Sequence, residues 1–229
     1  DSGRLLEEEA GHANRSGSSK HHPAEPLYTE ADARASLAQL HGVGFDHGFE
    51  PVPGVHARFR VQGHILGAGA ATLEFEGRRI TFSGDLGRPD DPLMPAPARL
   101  AESDWVVVES TYGNRAHPVD GLEQELLAVL QRVIARKGVV VIPAFAVGRA
   151  QMLLHVIARL QGSGQLADVP VYLNSPMAAS VGGLYRQYPR LHRLDTAALD
   201  AMQRMTHVVE SVEASKALNR RKGPMIIVS

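Results

Sequence analysis

Cysteine is absent from the 229 residues. That excludes disulfides and any thiolate-held metal, and it fits a reducing compartment without requiring one. No apolar run approaches the roughly 20 residues that cross a bilayer. The opening DSGRLLEEEAGHANR carries charges where a signal peptide needs an apolar core. With no targeting signal visible, a cytoplasmic location is the default expectation. An excess of either charge is missing too: the formal net charge is −1 and the pI about 6.9. A nucleic-acid partner therefore has no support from global charge and needs a local basic surface. What is present is 44% apolar residues, enough for an ordinary core, in a length that suits one large domain or two smaller ones. Both ends read as interrupted, because Asp1 opens inside a polar helix without a cap and the closing GPMIIVS stops at the end of a strand. The expectation is an internal piece of a longer protein.

The spacing predicts a helix over residues 1–16, a loop at SGSSKHHPAEP, and a second helix from Thr29 to about Leu40, with the threonine capping and the acids at the positive end. VHARFRVQ, ATLEFEG and RRITFSG alternate apolar with polar, as half-buried antiparallel strands do. A proline-rich surface connection, PDDPLMPAPARL, leads to DWVVVEST, which reads as a strand buried on both faces. After Gly113 the texture changes. The helix GLEQELLAVLQRVIARKG, the buried strand VVVIPAF, the helix VGRAQMLLHVIARLQ and the buried strand VPVYLNS follow one another. Helices near 176–188 and 195–204, a short strand near 207, a helix near 213–220 and the strand PMIIVS complete the chain. Strand and helix in alternation predict parallel pairing. The expected fold class is therefore α/β overall: an antiparallel α+β part to about residue 115, then an α/β part with a mainly parallel sheet.

Three polar residues close strands in the first part. His64 and Asp85 lie 21 positions apart, each wrapped in glycine, in GHILGAGAATLEFEGRRITFSGDLG. Imidazole and carboxylate are donors that zinc or manganese accepts without cysteine. A turn aspartate and a hydrogen-bonded loop histidine explain the same residues, and two donors are too few to hold a metal. Glu109 ends a strand too apolar to tolerate a carboxylate without a partner. It either orients a catalytic histidine or caps the turn through the amides of Ser110 to Gly113.

GHILGA, FSGDLGR and ESTYGNR, with VVVIPAFAVGRAQMLL, VYLNSPMA and EASKALNRRKGPMIIVS after them, resemble in order the motifs of metallo-β-lactamase-fold nucleases that carry an inserted β-CASP domain. These include RNA-processing exonucleases and the polyadenylation-factor endonuclease. The resemblance runs along nearly the whole chain. It departs at Asn174, where the family commonly has aspartate, and in lacking the family's H-x-H-x-D-H. His21-His22 and Asp46-His47 do not have that spacing. The resemblance implies a partial metallo-β-lactamase domain over 1–115 and a partial β-CASP domain over 116–229. It implies zinc-dependent hydrolysis of RNA phosphodiesters by the parent protein, with this piece itself inactive. In the complete site two zinc ions would be bound, Asp85 bridging them and His64 holding one. A hydroxide between the metals would attack phosphorus, and Glu109 would orient a histidine, from beyond Ser229, that protonates the leaving oxygen. RNA is the implied partner, with no membrane and with a homodimer as one assembly.

Other candidates carry two readings each. Arg149, in the first turn of a helix, could reach a phosphate or make a structural ion pair. Ser175 opens a helix whose amides suit an anion, or it simply caps that helix. Arg220-Arg221-Lys222 is a cluster for an RNA backbone or a solvated run. GAGAAT continues into a strand, where a dinucleotide loop needs a helix. A non-catalytic RNA-binding or scaffold subunit and a small-molecule metallo-hydrolase are the rival functions. The intact His64, Asp85 and Glu109 count against the first, and the residues after 116 against the second.

Overall fold

The computed structural model describes residues 2–116 and 121–229, so the uncapped helix start at Asp1 lies outside the described residues. The chain divides into two compact units, Asp1–Gly44 and Phe45–Ser229. In the first, α1 (Ser2–Ser16) and α2 (Glu30–Leu37) form the helices that the spacing predicts, the second three residues shorter. Thr29 and Asp32 close a reciprocal capping box that satisfies the first free amides of α2. Glu7 accepts from the amide of Glu30 at 2.9 Å, and Gly3 is the unit's one buried helical residue.

The second unit holds two sheets. The first has the order β1-β2-β3-β4-β5, from β1 (Gly48–Val52), β2 (Val55–Val61), β3 (Gly69–Phe75), β4 (Arg78–Phe82) and β5 (Trp105–Val107). β1 is a strand the sequence gives little sign of, because GFEPV carries both glycine and proline, and its pairing with β2 is interrupted by a register shift. β2 to β4 form an antiparallel meander, as their alternation predicts, whereas β5 joins β4 in parallel.

The structure corrects one expectation here. Trp105, Val106, Val107 and Val108 are 49–62% exposed instead of buried on both faces. β5 is the last strand of its sheet, and nothing among the described residues covers it. A run of valines specifies a strand but not what packs on it.

The second sheet, β6 (Val139–Ile142), β9 (Met225–Val228), β7 (Val171–Leu173) and β8 (Thr206–Val208), is parallel throughout, in the order β6-β9-β7-β8. The helices α3 (Leu122–Ala135), α4 (Arg149–Gly162), α5 (Pro176–Gln187), α6 (Thr196–Met205) and α7 (Val212–Leu218) alternate with its strands. β9 shows how the core is divided. Ile226 and Val228 face a large cluster with Val171, Leu173, Leu153, Ile157 and Ala178, while Met225 and Ile227 face a small one with Val209 and Leu218. Alternate side chains of a strand point to opposite faces, so a sheet buried on both sides reads as an unbroken apolar run. β6 is only half of that kind: Val139 and Val141 are exposed, because β6 is an edge and the small cluster stops short of it. Leu93 and Met94, from the proline-rich connection, insert into the large cluster, and Leu93 accepts from the amide of Arg193 at 2.7 Å. That connection, expected at the surface, is instead partly buried, because its apolar Leu93 and Met94 pack under the parallel sheet's helices.

Candidate active site at the strand ends

Strand direction decides where the three polar residues go. β2 runs against β3, β3 against β4, and β4 along β5. β2, β4 and β5 therefore point the same way, and the residues just past their ends, His64, Asp85 and Glu109, come to one edge of the sheet.

The glycines explain how those ends meet. Gly63 forms an isolated antiparallel bridge with Leu86, and the amide of Gly87 donates to the carbonyl of Gln62 at 2.8 Å. The contact is closer than any side chain allows: a Cβ on Gly87 would lie 2.2 Å from the carbonyl carbon of Gly63 and 2.6 Å from the amide nitrogen of His64. Gly63 and Gly87 thus press the histidine turn against the aspartate turn, a purpose the sequence does not reveal. The register of that bridge also sets Asp85 opposite His64.

Ser83 ties in the third strand. Its hydroxyl donates to the carbonyl of Gly84 at 2.6 Å and accepts from the amide of Glu109 at 3.1 Å, and the residue is only 4% exposed. Glu109 is half-buried, and its carboxylate accepts from the amides of Thr111 at 2.9 Å and Leu86 at 3.4 Å. These bonds, Thr111 first, hold its carboxyl below the usual carboxylate range, and the nearby imidazole of His64 adds a smaller pull when charged. Glu109 is thereby kept as an anion at the edge of the site. Asp85 and His64 are both exposed, and neither side chain makes a hydrogen bond or ion pair among the described residues.

A cavity of about 410 Å³ opens beside His64, lined by Leu86, Gly87, Arg88, Phe145 and Arg149 among others. Asp85, Glu109 and Ser175 do not line it. Arg149 arrives through Gly148, whose left-handed backbone (φ +80°) lets the start of α4 sit against Ile65; a Cβ there would lie 3.0 Å from the Ile65 methyl. Ser175 takes its bland role in this geometry, its hydroxyl capping α5 by accepting from Ala178 at 3.3 Å. Arg221 lies over the ring of Tyr172, 5.3 Å from its centroid, on the small-cluster side of the parallel sheet. Ser83 and Phe145 are the two residues that sequence reasoning passes over, the first hidden inside a motif and the second indistinguishable from a core residue at the end of VVVIPAF.

The chain is similar to known proteins over most of its length. Residues 150–229, from α4 through β9, match the Beta-Casp domain. Over 215 residues the chain is 34% identical to Ribonuclease TTHA0252 of Thermus thermophilus, an alignment covering 90% of this chain and 48% of that protein. It is 33% identical over 165 residues to cleavage and polyadenylation specificity factor 73 of Drosophila melanogaster, covering 71% and 24% respectively. A 30% identity over 210 residues to an RNase J-like protein of Methanocaldococcus jannaschii covers 88% and 48%. Residues 150–229 match a β-CASP domain, and the chain is similar to ribonucleases over most of its length.

The chain spans about half, or less, of the length of these relatives. The family is metal-dependent. Among the described residues no group of three or more His, Asp or Glu side chains could hold a metal ion. His64 and Asp85 are chemically suitable donors, but zinc takes three or four protein ligands. The donor set of the described residues does not fit a complete metal centre.

Proposed function

We propose that the parent protein hydrolyses phosphodiester bonds of RNA with zinc as its metal, and that this chain supplies part of the site. In this reading residues 1–115 belong to the metallo-β-lactamase part and 116–229 to the β-CASP part. His64 and Asp85 serve as metal donors, completed by donors outside the described residues. Glu109 orients and charges a general acid, and Arg149 holds a phosphate in the cavity beside His64. Ser175 acts at the start of α5. The observation that carries the reading is the junction at Gly63 and Gly87, where two turns are pressed together so that a carboxylate and an imidazole with no hydrogen bond or ion pair among the described residues flank one backbone bridge. A purely structural aspartate would have used its oxygens on nearby amides, as Asp91 does with Leu93 and Met94. The names of the relatives, ribonucleases among them, support RNA as the substrate.

The test is cleavage of an end-labelled RNA by the intact parent protein. Asp85→Ala should abolish turnover and lower the bound metal measured by mass spectrometry, because the carboxylate would hold the metal as well as the substrate geometry. Wild-type turnover by Asp85→Ala would overturn the reading. RNA binding without cleavage by the unmutated protein would favour a scaffold subunit.

A further inference from the structure

Phe145 is the most exposed aromatic ring in the chain's parallel-sheet part, at 74%, yet hydrogen bonds hold the connection on both sides of it. It lies between β6 and α4, in the connection Pro143–Gly148. The amide of Ala144 donates to Ser229 at 2.7 Å, and the carbonyl of Phe145 accepts from Ala150 at 3.2 Å. The buried amide side chain of Gln151 fixes the rest of the loop, donating to Ala146 and Ala178 at 3.1 Å each and accepting from Gly148 at 2.9 Å. A ring left in water on a mobile loop needs no account. One left in water on a loop this constrained forgoes the roughly 1.5–3 kcal/mol that burial of such a side chain brings, with no flexibility to excuse it.

The ring has one neighbour of a suitable kind. The guanidinium of Arg149 stands 5.4 Å from its centroid, at cation–π distance, and Arg149 makes no ion pair among the described residues. Both residues line the cavity that His64 lines. An exposed ring with one face toward a guanidinium that makes no ion pair among the described residues, on a hydrogen-bonded loop that lines a cavity, matches one ligand chemistry well: an unpaired nucleobase carrying its phosphate, the base on the ring's open face. Bases stack on aromatic faces with little regard to sequence, while arginine takes the phosphate.

We infer that Phe145 is a stacking platform for a nucleobase of a single-stranded nucleic acid, with Arg149 gripping the adjoining phosphate. The ring acts as a positioning residue, setting the strand in the cavity beside His64. The inference deepens the nuclease reading and rests on it for the identity of the ligand. The tested contact involves neither metal nor cleavage.

The experiment measures binding of the intact parent protein to a short single-stranded oligoribonucleotide in a chelating buffer, where nothing is cut. Phe145→Ala should weaken binding about tenfold, the loss expected for one stacked base. Phe145→Trp should restore it, since any aromatic face serves. In matched oligonucleotides made abasic at one position at a time, one position should reproduce the loss in wild type and add nothing to it in Phe145→Ala. Equal affinity of Phe145→Ala and wild type, failure of Trp to rescue, or a loss indifferent to abasic position would overturn the inference. Wild-type cleavage by Asp85→Ala would overturn the catalytic reading while leaving this binding result to stand or fall alone.

Discussion

The contact between Gly63 and Gly87 makes Gly87→Ala a sharp test of how the site is held. The added methyl carbon would lie 2.2 Å from the carbonyl of Gly63, where ordinary contact begins at 3.4 Å. Both obstacles are backbone, so no rotamer relieves the clash and the turns must separate by about 1 Å, the shortfall below normal van der Waals contact. That movement takes the 2.8 Å bond from Gly87 to Gln62 beyond hydrogen-bonding range. Overpacking of this kind costs about 1–3 kcal/mol and the lost bond about 1 more. For a chain of this size the melting temperature should fall by about 5–15 °C. The assay is thermal unfolding of the chain followed by circular dichroism, with Gly162→Ala as the control. Gly162 ends α4 with open space around it, so alanine there should be neutral or stabilising by up to about 1 kcal/mol. If Gly87→Ala melted together with wild type while keeping its fold, the two turns would not be locked as described.

Two further predictions concern the supports of the sheet edge. Ser83→Ala leaves the carbonyl of Gly84 and the amide of Glu109 without their shared partner and should lower unfolding stability in denaturant by about 1–3 kcal/mol, whereas an unchanged midpoint would mean that water replaces the hydroxyl. Asp104 accepts from the amide of Arg79 at 2.8 Å, and that bond, helped by Arg78, holds its carboxyl below the ordinary aspartate range. A depressed folded-state pKa contributes stability that is present above about pH 4, the unfolded value, and lost as pH falls through the folded one. Asp104→Asn should therefore flatten the acid limb of the stability profile, and an unchanged limb would show that the bond does not favour the charged form.

Much of the fold is legible because periodicity reports packing directly. The parallel sheet follows from unbroken apolar strands between amphipathic helices, and the meander from strict alternation around Glu76-Gly77. The site is legible up to a point. His64, Asp85 and Glu109 stand out because polar residues closing apolar strands need a reason. The missing parts have a common physical cause, which is that a sequence encodes a residue's chemistry and not its neighbours. Phe145 closes a run of core-type residues and is exposed all the same. Val106 reads as buried and has no cover. Gly63 and Gly87 read as small residues that let backbone approach a shared ion, whereas in the structure they let two turns approach each other.

The two edges of the five-stranded sheet differ in a way that bears on assembly. β1 is blunted by Pro51, which has no amide to offer, and by the irregularity in its pairing with β2. β5 has no such guard: no proline, no lysine and no bulge interrupts Trp105 to Val108, and its outer side is unpaired among the described residues. An open edge of β-branched and aromatic residues is a template for another strand. The sheet is therefore guarded at β1 and open at β5, where the apolar run Trp105 to Val108 lies between Asp104 and Glu109.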